Sequence, residues 1–323
     1  LKKGNGVARP AGDDWREGTG VALAMLECGP PTEHRSGAEM KLLPDGTYHL
    51  ACGSSEMGNG IATAHKQMAA SVLGVRAADV ALVNADTDRT PYDTGTFAST
   101  GTVVAGKAVL AAADAMKADI LDVAARLSKT APNACRLDGD AVVCGSRRIP
   151  LGELYAEGLK VGHCFTVARK AYLSPRTIAF NVQGVRLAVH RVTGEIRVLQ
   201  SVHAADIGRP IKPMQCRGQI DGAVAMGYGW ALIENMVHQD GHMVNAQLRN
   251  CRVPAIADTP HTDVFFAETV DSIGPLGAKS QGECAINPVA PAVANALADA
   301  TGVRFAHLPF TPDRLFAALA QAT

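Results

Sequence analysis

The chain has 323 residues, 47% of them apolar and 19% charged, and its 31 basic and 31 acidic residues cancel to a formal net charge of zero. These totals fit a globular protein with a core large enough for two lobes, and they argue against a nucleic-acid partner. No apolar run approaches the ~18 residues that mark a membrane span; the first residue is Leu1 rather than methionine, and no signal peptide is recognisable. The expectation is a cytoplasmic chain, either a fragment or a subunit whose start is missing. The eight cysteines (Cys28, Cys52, Cys135, Cys144, Cys164, Cys216, Cys251 and Cys284) include no CxxC pair. They suit neither zinc nor an iron–sulfur cluster, and reduced thiols are expected rather than a disulfide framework.

Residues 1–20 are polar and glycine-rich without a period and read as a connector. Alternation around Pro44-Asp45-Gly46, with Ala38, Met40 and Leu42 before it and Tyr48 and Leu50 after it, predicts a hairpin. A glycine-rich loop, 53–60, precedes a helix whose apolar face is Ile61, His65, Met68, Ala69, Val72 and Leu73, ended by Gly74. Val80–Asn84 reads as a strand, 85–102 as a loop dense in Asp, Thr, Ser and Gly, and Val109, Ala113, Met116, Ile120 and Val123 as one face of a long helix. Short strands and turns over 131–162 join this half to the next.

The first pattern then returns. Val185–Val189 and Ile196–Leu199 flank a turn at Thr193-Gly194, a Gly/Pro loop follows, and Ile220, Val224, Tyr228 and Ala231 mark a helix. The predicted class is α+β, with two lobes of repeated mixed β/α units divided into 21–162 and 163–323. Near the end, the irregular loop 274–284 leads to Asn287-Pro288, which suit a helix cap and first turn. That helix carries Val289, Val293, Ala296 and Leu297 and stops at Gly302.

Three loops have residues suited to chemistry. Gly58-Asn59-Gly60 before a helix lacks the third glycine of a dinucleotide fingerprint and the Gly-Lys-Ser/Thr of a phosphate-binding loop, and Glu56 beside it repels pyrophosphate. By itself it is a tight turn. The 85–102 loop has three aspartates in eight residues without calcium-loop spacing; at this length in a compact domain it is more often functional than not. Glu283, between Gly282 and Cys284, is either a helix-terminal acid or a general base held in a tight turn, and residue chemistry leaves the two open. His65 reads as a hydrogen-bonded core residue. His238 and His242 flank a turn at Gln239-Asp240-Gly241, which weakens them as a metal pair.

Taken together, four segments resemble molybdenum hydroxylases of the xanthine dehydrogenase and aldehyde oxidase family. Glu56-Met57-Gly58-Asn59-Gly60 is similar to that family's EMGQG loop. Asp86-Thr87-Asp88 with Pro91 and Asp93-Thr94-Gly95-Thr96-Phe97-Ala98-Ser99 resembles its DTD…P.D.GT.AS loop. Asp206-Ile207-Gly208-Arg209-Pro210 followed by Gly218-Gln219 is similar to DxGxxxxP…GQ, and Gly277-Ala278-Lys279-Ser280-Gln281-Gly282-Glu283 with Asp299-Ala300-Thr301-Gly302-Val303-Arg304 is similar to the GAK..GE…DATGVR ending.

The resemblance implies the second half of a molybdopterin-binding subunit. Met57, Gly58, Asn59 and Gly60 would line the pterin and the molybdenum, together with Phe97, Ala98, Ser99 and Thr100. Gln219 would hydrogen-bond the pterin, and no side chain of this chain would ligate the metal. Glu283 would be the catalytic base, taking the proton of the hydroxyl that attacks an electron-poor carbon. The implied cofactor is molybdenum-molybdopterin, in mononucleotide or cytosine dinucleotide form. Iron–sulfur clusters and FAD would sit on partners, and a complementary molybdopterin-binding half would complete the site. The implied substrate is an N-heteroaromatic, purine- or nicotinate-like, or an aldehyde. Asn59 in place of glutamine, Thr100-Gly101 after the Ala-Ser pair and Cys284 after the glutamate depart from the pattern. Leu1 and the Asn59 and Cys284 departures favour a competing reading, a non-catalytic truncated homologue serving as an assembly or scaffold domain, and the intact glutamate in its intact loop disfavours it.

Overall fold

The chain forms two four-stranded sheets of the same build in the computed structural model, which describes residues 6–30 and 32–322. The first strand, β1 (Trp15–Glu27), is set aside for the second sheet. The first sheet begins with β2 (Arg35–Leu42) and β3 (Tyr48–Cys52), an antiparallel hairpin that pairs Leu42 with Tyr48 across the predicted Pro44-Asp45-Gly46 turn. Helix α1 (Ile61–Leu73) crosses over to β4 (Val80–Asn84), which lies parallel to β3. Helix α2 (Gly106–Ser128) then packs across the sheet.

A small three-stranded sheet follows, β5 (Cys135–Asp138), β6 (Ala141–Cys144) and β7 (Arg147–Pro150), and then α3 (Leu151–Lys160). Strand β8 (Thr166–Tyr172) closes the first sheet on the open side of β2.

The second sheet repeats this plan. Strands β9 (Ile178–His190) and β10 (Ile196–Asp206) form the hairpin, and α4 (Pro213–Leu232) is the crossover. A two-strand ribbon of β11 (His238–Gln239) and β12 (His242–Met243) and the short α5 (Leu248–Cys251) intervene before β13 (Thr262–Phe266), which is parallel to β10. Helix α6 (Val289–Thr301) packs across β1 and β9 as α2 packs across β2 and β8, and α7 (Pro312–Ala322) ends the described chain.

Each sheet therefore has a hairpin, a helical crossover to a parallel third strand, and a covering helix. The predicted α+β class and its repeat are what this topology shows. The two cores follow the same logic. Met40, Leu50, Met68, Val109, Met116 and Ile120 interlock in the first, and Val185, Leu187, Val224, Val289, Val293 and Leu297 in the second. Burying these side chains drives each helix onto its sheet, at about 1.5–3 kcal/mol per large aliphatic group.

Three expectations need correction. Residues 15–20, read as part of a connector, begin a 13-residue strand that pairs with β9 along its whole length. The alternation was hidden because two of the buried positions are Gly18 and Gly20, which carry no apolar side chain to reveal the face. They are glycine because α6 lies against the strand: a Cβ on Gly20 would stand 2.1 Å from the Ala292 carbonyl oxygen.

The boundary at residue 162 also differs from the sheets, since β8 belongs with the first and β1 with the second. The edge strands are exchanged, and no single cut in the chain separates the two units.

Finally, Cys135 and Cys144 are disulfide-bonded rather than reduced. They are directly paired residues of the β5–β6 hairpin, with Cα atoms 4.1 Å apart, so a nine-residue sequence separation becomes contact only once the register is known. The other six cysteines are free thiols.

Candidate active site

Four loops follow the carboxyl ends of strands: β3 to α1, β4 to α2, β10 to α4, and β13 to α6. In the repeat the first corresponds to the third and the second to the fourth. All four contribute to the walls of one cavity of about 480 Å³, a size suited to a cofactor-sized molecule.

The β3–α1 loop is held by its own acid. Glu56 Oε1 accepts hydrogen bonds from the Gly58 and Gly60 N–H groups (2.8 and 3.0 Å), and its Oε2 accepts one from Ala62 N–H (3.0 Å). Burial pushes the Glu56 carboxyl upward, but these backbone donors outweigh it and leave it below its ordinary value. The first N–H groups of α1, which an anion would otherwise seek, are thus satisfied internally. Gly58 and Gly60, at φ of 92° and 81°, let the backbone turn here without side chains. Met57, Gly58, Asn59 and Gly60 all line the cavity. Gln219, on α4, lines it too, and its Nε2 donates to the Gly58 carbonyl at 3.2 Å.

From the β4–α2 loop, Thr96, Phe97, Ser99, Gly101 and Thr102 form the wall, whereas Ala98 and Thr100 do not. Thr100 is buried, and its hydroxyl donates to the Gly95 and Phe97 carbonyls. Ala98 gives its carbonyl to Gly29 N–H. The chain twists through positive φ at both Ala98 (53°) and Ser99 (58°), so neighbouring side chains do not share one surface.

Opposite stands the β13–α6 loop. Glu283 is exposed on the cavity wall and linked to Ser99 twice: Ser99 Oγ donates to Glu283 Oε2 at 3.1 Å, and Glu283 N–H donates back to Ser99 Oγ at 3.0 Å. Behind it, Cys284 is fully buried under β1 and β9, with Sγ facing the Ala24 and Ala179 carbonyls. Burial pushes its thiol upward, so it stays protonated and packs as a small apolar group.

Several wall residues were not singled out from the sequence. Lys279 and Gln281 belong to a motif recognised only for its glutamate. Arg209, Lys212, Gln215 and Cys216 surround the start of α4, whose position is marked by Pro213 in the first helical turn. Among these, Gln281 Nε2 is buried without a hydrogen-bond partner. Arg209 and Lys212 with the amides of Gln215 and Gln219 give the wall cationic and donor groups, which fit an anionic, acceptor-rich heterocycle such as a pterin phosphate. Among the described residues no group of three or more His, Cys, Asp or Glu side chains is arranged to hold a metal ion.

His65 lies behind this floor, fully buried, with Nδ1 near Cys52 Sγ (3.3 Å) and Nε2 near the Gly101 carbonyl (3.3 Å). Desolvation lowers its pKa to about 4, so it is a neutral core residue, as its place on the helix face suggested.

Repeated β/α loops converging on one donor-rich cavity define a cofactor-holding module, and sequence comparison says which. The sequence matches the molybdopterin cofactor-binding domain family over residues 2–260. The chain belongs to that family, and it is similar to the molybdenum-binding subunits of xanthine dehydrogenase and aldehyde oxidoreductase.

It is 31% identical over 316 residues to "Probable hypoxanthine oxidase XdhD" of Escherichia coli K12, a match spanning 96% of this chain and 33% of the relative. It is 33% identical to the xanthine dehydrogenase molybdenum-binding subunit of E. coli O157:H7, spanning 93% and 42%. Among solved structures, quinoline 2-oxidoreductase from Pseudomonas putida 86 superposes with a TM-score of 0.87 at 25% identity, over 95% of this chain and 42% of that one. The chain thus spans between a third and about two-fifths of the length of these relatives.

Proposed function

We propose that this chain supplies the base-bearing half of the active site of a molybdenum hydroxylase, with Glu283 as the general base. The observation that carries the reading is the position of the Glu283 carboxylate on the wall of the one cavity also bounded by residues 57–60 and by Phe97 and Ser99. When bound, the molybdenum–pterin group supplies Lewis acidity and two-electron redox chemistry. Met57 to Gly60, Phe97 and Gln219 would hold and orient it, with Ser99 beside them on the wall, and Arg209 and Lys212 would offset the charge of its phosphate. Gln219 would hydrogen-bond the pterin. The Glu283 carboxylate accepts the proton of a water-derived oxygen nucleophile at hydrogen-bond distance, which raises that oxygen's reactivity towards an electron-poor carbon.

The substrate class is a nitrogen heteroaromatic of the purine or nicotinate kind, ahead of an aldehyde. Support comes from the relatives it resembles, a probable hypoxanthine oxidase, a xanthine dehydrogenase subunit and a 6-hydroxypseudooxynicotine dehydrogenase subunit among them. The remainder of the molybdenum-binding subunit completes the cavity. Iron–sulfur and FAD partners carry the electrons away, in the cytoplasm, and the cofactor is the mononucleotide or the cytosine dinucleotide form.

The test is to co-express the chain with that remainder and follow dye reduction with hypoxanthine, nicotinate and an aromatic aldehyde. Glu283→Gln should lower turnover by about three orders of magnitude or more with molybdenum content unchanged. Near-normal turnover in that variant overturns the assignment of the base. Absence of molybdenum from the purified wild-type complex favours the scaffold reading instead.

A further inference from the structure

Ser99 is held in a backbone conformation that serine rarely adopts, and its surroundings suggest what that conformation serves. Ala98 and Ser99 are consecutive non-glycine residues at positive φ, a combination that persists only where neighbouring structure enforces it. Here the neighbours do so on both sides. Gly29 N–H donates to the Ala98 carbonyl at 2.8 Å, and the Cys28 thiol faces the Ser99 carbonyl at 3.4 Å. Cys28 also accepts a hydrogen bond from Ser280 Oγ at 3.2 Å, and both Cys28 and Ser280 are buried. One thiol therefore ties the turn bearing Ser99 to the loop bearing Glu283, from beneath the cavity.

At the surface the two loops meet again through the Ser99 hydroxyl. It gives its single proton to Glu283 Oε2 and receives the Glu283 backbone N–H. A Cβ on Gly282 would stand 3.4 Å from the Ser99 oxygen, in ordinary van der Waals contact with it. Both polar functions of the hydroxyl are thereby engaged by the same residue, one fixing its backbone and the other its carboxylate.

We propose that Ser99 is the positioning residue of Glu283: the strained 98–99 turn exists to hold a hydroxyl that fixes the glutamate carboxylate towards the cavity. This rests on the reading of Glu283 as the base. Oε2 accepts from Ser99, and the proposal leaves Oε1 for the reacting proton. A long, exposed glutamate without this tether samples many rotamers, and only a fraction of them bring the carboxylate to the substrate side.

The test uses the assembled, molybdenum-loaded subunit with Ser99→Ala, Ser99→Gly and Glu283→Gln. Ser99→Ala and Ser99→Gly should each lower kcat by about 10-fold to 100-fold, the loss expected when a hydrogen bond to a charged group is removed. KM should stay within about twofold and molybdenum content should be unchanged. Ser99→Gly should also melt at a higher temperature than Ser99→Ala, because glycine accepts the positive φ. A variant that is more stable and yet equally slow cannot be explained by loss of folding. If either variant keeps wild-type kcat while Glu283→Gln is inactive, this inference fails and the base assignment stands. If Glu283→Gln turns over normally, both fail. If the Ser99 variants lose molybdenum in proportion to activity, Ser99 is a cofactor contact and the positioning role is overturned.

Discussion

Lys279 and Asp206 form an ion pair of 2.7 Å between the two loops of the second repeat, with side chains only 12% and 22% exposed. Burial raises the Asp206 carboxyl, but Lys279, the Thr269 hydroxyl and the Gly208 N–H together hold it below its ordinary value. The lysine backbone N–H also donates to the Ile207 carbonyl at 2.8 Å, so main chain and side chain join the same two segments. Lys279→Met removes one partner of a largely buried pair and leaves a carboxylate without its cation. It should lower stability by about 1–3 kcal/mol, less than the cost at a fully buried site. Chemical denaturation checks this, and Asp206→Asn combined with Lys279→Met should recover part of the loss. A midpoint for the single variant equal to wild type counts against a structural pair here.

Glu56 makes a second prediction. Its carboxylate satisfies three N–H groups at and before the start of α1, so Glu56→Ala frees them while leaving the glycines in place. The expected cost is about 0.5–2 kcal/mol, as for loss of a helix cap. The freed N–H groups then form an anion site of the kind found at helix N-termini. Inorganic phosphate should raise the melting temperature of Glu56→Ala more than that of wild type. Equal shifts in the two proteins argue against the clamp.

Much of this arrangement was legible from local patterns. The β2–β3 hairpin, α1 with its Gly74 end, and the apolar faces of α2 and α6 follow from alternation and helical spacing, and the repeat of hairpin and helix is visible in those patterns alone. What stayed hidden depended on partners distant in sequence. Strand β1 finds its partner about 160 residues away, and its inward face is partly glycine, so no apolar period announced it. Cys135 and Cys144 become neighbours only through hairpin register. Within the site, resemblance drew attention to Met57 to Gly60, Gln219 and Glu283. Gln281 and Lys279, four residues or fewer from that glutamate, needed the cavity itself to stand out. Ala98 and Thr100 point elsewhere because backbone twist, which spacing does not encode, decides which side chains of an irregular loop face inward.

Gly20 gives the third prediction, on the strand that the sequence pattern concealed. A Cβ there would stand 2.1 Å from Ala292 O and 2.3 Å from Ala296 N, both backbone atoms of α6 that cannot rotate away. Gly20→Ala must therefore push α6 off β1 and β9, loosening Val289, Val293 and Leu297 in the core. The expected loss is about 2–4 kcal/mol, in the range of severe overpacking. Gly58→Ala is the contrast: its Cβ meets nothing within 4 Å, so it carries only the cost of positive φ, about 1 kcal/mol. Thermal denaturation of the two variants should rank Gly20→Ala well below Gly58→Ala, and the opposite order refutes the close packing of β1 on α6.

The last prediction concerns acid. His203 is buried in the second sheet, with ring nitrogens 2.8 Å from the Gln183 and Asn181 side-chain oxygens as assigned. A neutral imidazole donates to only one of these two amides and accepts from the other. Desolvation lowers the pKa of His203 to about 4, and His65 likewise. Both values are depressed relative to the unfolded value near 6.5, so the unfolded chain binds protons first as pH falls. The stability contributed by burying the neutral rings is fully present above pH ~6.5 and is lost progressively down to pH ~4, by up to about 3 kcal/mol for each histidine. Urea midpoints measured from pH 7.5 to 4.5 should therefore fall with a slope approaching two protons. Replacing His203 with Gln should remove about one proton from that slope whatever it does to stability at neutral pH. A slope unchanged by that replacement shows that the ring titrates alike in both states, and that burial does not control it.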